Sequence, residues 1–162
     1  MAYAQIQRHP LSVPDGCRGP LDRLRCSAAT ASRLYHRIRG RALLGQIVAL
    51  ITRRPRHVRD LRRLLDAGRV LGCHYAGLME VPVASIRGGS RRAGQFDGQY
   101  RPLCGRNGDR WSGIAGSRLL GRDLPPVRLY QVGDTHYVWD GHHRVSVAYA
   151  LGDRTIPAYV TV

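Results

Sequence analysis

The residues with the most chemical capacity in this chain fall together at Asp140-Gly-His-His-Arg144. Within five positions they supply a carboxylate, two imidazoles that titrate near neutrality, and a forked guanidinium suited to phosphate. Asp140, His142 and His143 are the candidate catalytic residues, since an imidazole near its ordinary pKa can act as general acid or base in phosphoryl transfer or phosphodiester cleavage. Gly141, His142, His143 and Arg144 are the candidate phosphate-binding set. Adjacent residues on a helix point about 100° apart, so the two histidines cannot face one small ligand in the same way. Either ring can equally steady the turn. Asp140 can cap the helix entry, orient a histidine, or hold a magnesium ion bridging to phosphate.

The elements that must position this box are legible around it. Tyr137, Val138 and Trp139 suit a strand, Gly141 permits a tight turn, and Val145, Val147, Ala148, Tyr149 and Leu151 make a short, broadly apolar helix that should be buried. Arg144 falls in the first turn of that helix, where backbone N–H groups and the positive end of the helix dipole favour an anion. Upstream, Leu124-Pro-Pro introduces a strand from Val127 to Val132, Gly133-Asp134 turns the chain, and His136 to Asp140 returns as the second arm of a hairpin. Trp111, Ile114, Ala115 and Leu119 mark a helix ended by Gly121, and Ile156 to Val162 reads as a last strand. The expected fold class is α+β, a small mixed sheet over residues 80–162. An irregular arm over 1–26 and a basic helical extension over 27–79 precede it.

The charge is strongly basic and unevenly spread. The formal net charge is +15, from 26 basic residues, all arginine, against 11 acidic ones. Residues 1–79 carry 15 arginines and 4 acids, a net +11, whereas residues 80–162 carry 11 and 7, a net +4. Such a surface attracts polyanions, nucleic acid above all, and predicts salt-sensitive association. Arg59, Arg62 and Arg63, with Arg91 and Arg92 in the Gly/Ser/Arg run from Arg87 to Gly94, are the candidate nucleic-acid contacts. The four cysteines lack CxxC spacing, so reduced thiols are expected, and Cys73-His74 with His142 or His143 has no recognised metal-site spacing. No metal site is assigned. The N-terminus has no apolar signal region and no run approaches a membrane span, which places the expected protein in the cytoplasm, away from membranes.

In the extension the apolar phase changes. Ala31, Leu34, Tyr35 and Ile38 share one helical face, while Leu43, Leu44, Ile47, Val48 and Ile51 share another, rotated by about 180°. That predicts a break near Gly40 or one helix between two apolar surfaces. A second helix is expected from Pro55, with a Val58, Leu61, Leu64, Leu65 stripe and a stop at Gly68. A short strand is expected over Val81 to Ile86, with Pro82 marking an edge or a strand start.

At Leu124-Pro-Pro-Val, at Val132-Gly-Asp-Thr-His-Tyr-Val-Trp-Asp-Gly-His-His-Arg-Val-Ser-Val-Ala148, and at Ile156-Pro-Ala-Tyr-Val160, the chain resembles the ParB/sulfiredoxin-like superfamily. It is most similar to ParB-like nuclease-domain proteins whose box reads DGHHR. Val81-Pro-Val with Ile86, and Phe96-Asp with Tyr100-Arg-Pro-Leu103, resemble the earlier strand and loop of those proteins, so the resemblance covers residues 80–162. It implies a fold in which the box binds the phosphates of a nucleotide, CTP in partition proteins and ATP in sulfiredoxin, or contacts nucleic acid. Sulfiredoxins place their catalytic cysteine where His142 stands, which disfavours the sulfinic reductase reaction. Partition proteins follow a GERR-like box with a second nucleotide segment and a helix-turn-helix, for which the chain ending at Val162 leaves no room. A serine-kinase branch uses a carboxylate base, a role open to Glu80 or Asp97. The expected function is therefore binding of nucleotide or nucleic-acid phosphates, in a DNA-associated protein. A nuclease or small-molecule phosphotransferase and a non-catalytic partner-binding module stand as alternatives.

Overall fold

A computed structural model describes residues 19–52, 59–61, 72–90 and 93–162. The first described element is a long helix, α1 (Pro20–Thr52), whose first turn places Pro20 and Asp22 where a missing N–H and a negative charge suit a helix start. The helix thus begins within the segment expected to be irregular. It also runs unbroken past Gly40, so of the two expectations, a break there or one helix between two apolar surfaces, the break is not met. One mid-helix glycine costs only about 1 kcal/mol relative to alanine, too little to end a helix otherwise built of good formers. The change of apolar phase is resolved by exposure instead. Leu34, Tyr35, Ile38 and Ala42 are buried, whereas Leu44, Ile47, Leu50 and Ile51 of the last turns are 56–82% exposed. Cys26, in this helix, is disulfide-bonded where a thiol was expected, and Cys73 and Cys104 are free.

Six strands form one mixed sheet: β1 (Arg59–Asp60), β2 (Tyr75–Pro82), β3 (Ile86–Gly89), β4 (Val127–Val132), β5 (Thr135–Asp140) and β6 (Thr155–Thr161), in the order β1-β3-β5-β4-β6-β2. Two further helices are α2 (Gly108–Leu119) and α3 (His142–Leu151). The fold class is α+β, as expected. The β4–β5 hairpin closes through the Val132↔Thr135 pair with Gly133 at φ 58, and β6 lies parallel to β4. Two elements differ from expectation. Arg59–Asp60, within the helix expected from Pro55, pairs in parallel with β3 at Gly88 and Gly89; Leu61 is helical, and the rest of that expected helix lies outside the described residues. The strand expected over 81–86 is split. β2 starts earlier and pairs with β6, a single 3-10 turn over Val83–Ser85 follows, and β3 reaches into the Gly/Ser/Arg run expected to be loop.

One face of the sheet carries the core. Val81, Val127, Leu129, Val138, Ile156, Ala158 and Val160 meet Val145 and Ala148 of α3 together with Phe96 and Tyr100. The opposite side of α3, through Val147 and Leu151, packs on Leu34, Tyr35 and Ile38 of α1 and on Trp111, Ala115 and Leu119 of α2. The helix after the box is therefore sandwiched between the sheet and the α1/α2 pair, which explains why its apolar residues run nearly all round it. A polar chain pins it there. Trp111 Nε1 donates to Ser146 Oγ at 2.9 Å and Ser146 Oγ donates to the Tyr100 carbonyl at 2.6 Å. Among the described residues no helix is long and apolar enough to cross a membrane.

Candidate functional site: the cleft at the entry to helix α3

Gly141 sits between the end of β5 and the start of α3 at φ 96, ψ 23, a left-handed conformation that favours glycine. Space enforces the same choice. A Cβ there would lie 2.6 Å from Val127 Cγ1 and 3.1 Å from Arg144 Nε. The turn is fixed by Arg144, whose Nη1 donates to the carbonyls of Pro125 at 2.6 Å and Pro126 at 2.8 Å, while Nη2 reaches Asp140 Oδ2 at 3.0 Å. The Arg144 side chain is only 17% exposed, and its fork holds the Leu124-Pro-Pro entry to β4 against the box. Arg144, expected to bind phosphate, also ties two chain segments together through these contacts.

His142 and His143 are both buried, at 5% and 6% exposure, and both rings meet Phe96. His142 stacks on it at a centroid distance of 6.2 Å and 16° between planes; His143 meets it edge-on at 5.4 Å and 66°. Gly89 lets the His142 ring approach β3, since a Cβ there would lie 3.0 Å from Nε2. The two histidines, expected to diverge, are thus gathered by one aromatic ring even though their side chains leave the helix in different directions.

An open cleft of about 470 Å³ lies over this turn, lined by all five residues from Asp140 to Arg144 and by Ser90, Arg110, Ile114 and Trp139. Asp140 stands at its rim with its side chain 69% exposed. The first turn of α3 faces the cleft, where the helix dipole favours negative charge. Arg110, exposed in the first turn of α2, adds a cation, and Ser90 adds a hydroxyl that donates to the Trp139 carbonyl at 3.3 Å. Ser90 belongs to the Gly/Ser/Arg run that the sequence offers as a phosphate cradle, whereas Arg110 and Ile114 were not foreseen, because only the fold brings α2 to the box.

The other candidates lie elsewhere. Asp97 is buried, accepts from the amides of Gln99 and Arg101, and is ion-paired with Arg101 at 2.7 Å. Glu80 is on β2, and neither carboxylate lines the cleft. Arg62, Arg63, Arg91 and Arg92 fall outside the described residues, and of Arg59 only the backbone pairing is described. Among the described residues no three His, Cys, Asp or Glu side chains gather as a metal-ligand set.

No family model matches the chain, and no curated protein matches it. Among solved structures it is similar to the crystal structure of sulfiredoxin from Arabidopsis thaliana, at 20% sequence identity and a TM-score of 0.37. The match covers 51% of this chain and 82% of that one. At that level of likeness, the chemistry of the cleft is read from this chain's own residues.

Proposed function

We propose that this protein binds a phosphate-bearing ligand, a nucleotide or a nucleic-acid strand, in the cleft at the entry to α3. The observation that carries the reading is the composition of the cleft. One wall is the N-terminal turn of a ten-residue helix, and the exposed guanidinium of Arg110 and the hydroxyl of Ser90 line the same space. A dipole end and a cation around one opening suit a phosphate, and the Ser90 hydroxyl can turn from the Trp139 carbonyl to donate to it. Arg144 supports the site from behind by holding the turn, and Asp140 is the carboxylate placed to sit beside a magnesium ion carried in by a nucleotide. The net charge of +15 favours nucleic acid over a free nucleotide as the physiological ligand.

A thermal-shift screen of nucleoside di- and triphosphates, with and without magnesium, tests the reading, because a ligand that binds only the native state must raise its stability. A shift that Arg110→Ala reduces supports the cleft. No shift with any phosphate compound, at low salt, contradicts it.

An enzymatic reading, as a nuclease or phosphotransferase, draws on His142 and His143, which both line the cleft. Phosphodiester or nucleotide cleavage that disappears in His143→Ala, with the fold intact by circular dichroism, would favour it. A non-catalytic partner-binding reading draws on the exposed apolar end of α1. A stable monomer in mass measurements after size exclusion argues against self-association there.

A further inference from the structure

The face of the sheet turned away from α3 carries an unexpected set of residues. Side chains alternate between faces along a strand, and Val127, Leu129, Val138, Ala158 and Val160 point into the core. Their neighbours Arg128, Tyr130 and Tyr159 therefore stand on the opposite face, and Trp139, at the point where β4 and β5 shift register, joins them through its ring contact with Tyr130. The pairs Leu78↔Tyr159 and Tyr75↔Thr161 put Leu78 and Tyr75 of β2 there as well. The ring contacts agree: Tyr130 and Trp139 meet at 5.5 Å, and Tyr75 and Tyr159 at 6.5 Å. Toward β3, Tyr137 shares this face but is buried. Across β5, β4, β6 and β2 the face is open, with Trp139 48%, Tyr159 39% and Tyr75 65% exposed.

We infer that this face is a stacking platform for single-stranded nucleic acid, continuous with the cleft at α3. The inference deepens the phosphate-binding reading by naming its ligand, and rests on it. Three features select this ligand over a protein partner. Exposed aromatic rings on an open sheet are the geometry on which unpaired bases stack, with each base offering a π-face. Arg128 is exposed between the two ring pairs, opposite Tyr159 in register, where it can meet a phosphate between stacked bases. Trp139 belongs both to the platform and to the lining of the cleft, so a strand lying on the rings leads its backbone to Arg110 and the α3 entry. With adjacent strands about 4.8 Å apart, Trp139 on β5 and Tyr75 on β2 are separated by roughly 14 Å, room for two or three stacked bases. Glu80 is exposed on the same face, opposite Pro157 of β6, and Asp140 is paired with Arg144.

The experiment uses the full chain, a twelve-residue oligothymidylate, a duplex of equal length and ATP. Trp111 is fully buried, so quenching of exposed tryptophan emission reports Trp139. The expected results are quenching by the single strand, weaker binding of the duplex, and a loss of roughly tenfold in single-strand affinity for Tyr159→Ala or Tyr75→Ala. Tyr159→Phe, which keeps the ring, should bind as the wild type does. ATP binding should survive Tyr159→Ala and weaken in Arg110→Ala. If ATP binds but neither tyrosine variant changes single-strand affinity, the platform is wrong while the cleft stands; if neither ATP nor the single strand loses affinity in Arg110→Ala, the cleft reading itself fails. Equal affinity for duplex and single strand, or a dimer that Tyr159→Ala dissociates without any change in oligonucleotide affinity, would also overturn the platform.

Discussion

Replacing Arg144 separates two roles that a guanidinium in such a box can play. If it clamps the turn, Arg144→Ala removes two charge-assisted hydrogen bonds to the carbonyls of Pro125 and Pro126 and one ion pair to an exposed carboxylate. Hydrogen bonds from a charged donor contribute about 1.5–3 kcal/mol each. The ion pair adds about 0–1 kcal/mol because Asp140 is mostly in water. Water can replace part of the contact to the exposed Pro125 oxygen, so the net loss is about 2–4 kcal/mol. For a chain of this size that lowers the melting temperature by about 5–12 °C. Arg144→Lys should recover less than half of the loss, because an ammonium cannot present two parallel donors to both carbonyls. Urea denaturation with a tryptophan or circular-dichroism readout measures the change directly. A variant that melts within about 2 °C of the wild type and yet loses nucleotide binding would refute the clamp and return Arg144 to direct ligand contact.

Three other perturbations follow from the same geometry. Gly141→Ala combines a left-handed backbone with a Cβ 2.6 Å from Val127 Cγ1, and should cost about 2–4 kcal/mol in urea denaturation; a cost below about 0.5 kcal/mol would contradict the turn described here. His136 is buried with its Nδ1 2.9 Å from Ser85 Oγ, and burial lowers its pKa below the usual 6.5. The fold thus favours the neutral ring, so this contribution is fully present above pH 6.5 and is lost as pH falls through the depressed folded value. Melting temperatures recorded across that range should decline toward acid less steeply in His136→Gln, and identical slopes would exclude His136 as the source. Ile47→Glu and Ile51→Glu, in the exposed end of α1, should change monomer stability by no more than about 0.5 kcal/mol, whereas a loss above about 2 kcal/mol would mean that the face is covered.

The parts legible in the sequence were those written in local patterns. Gly133 and Gly141 announce their turns, and the alternation of Val127, Leu129 and Val138 announces the hairpin. The apolar residues of α3 announce burial without saying what lies on either side of it. Elements defined by distant partners were not legible. β2 is exposed on both faces over most of its length and contains Gly77 at φ 100, so it carries no alternation to read. β1 consists of two charged residues whose strand character comes from pairing with β3. The phase change in α1 reads as a kink only if every apolar residue must be buried, and here Leu44, Leu50 and Ile51 are not. At the site, the sequence grouped Asp140 through Arg144 but could not place Pro125 and Pro126 under the guanidinium, nor Arg110 across the cleft, since both depend on how β4 and α2 pack.

The central claim is that phosphate binds at the entry to α3, and backbone amide NMR during a titration with ATP tests it most directly. Saturable shifts are expected, largest at Gly141 through Arg144 and at Ser90, and weakened in Arg110→Ala. Saturable binding whose largest shifts fall on residues away from that cleft, or no saturable binding at low salt, would contradict it.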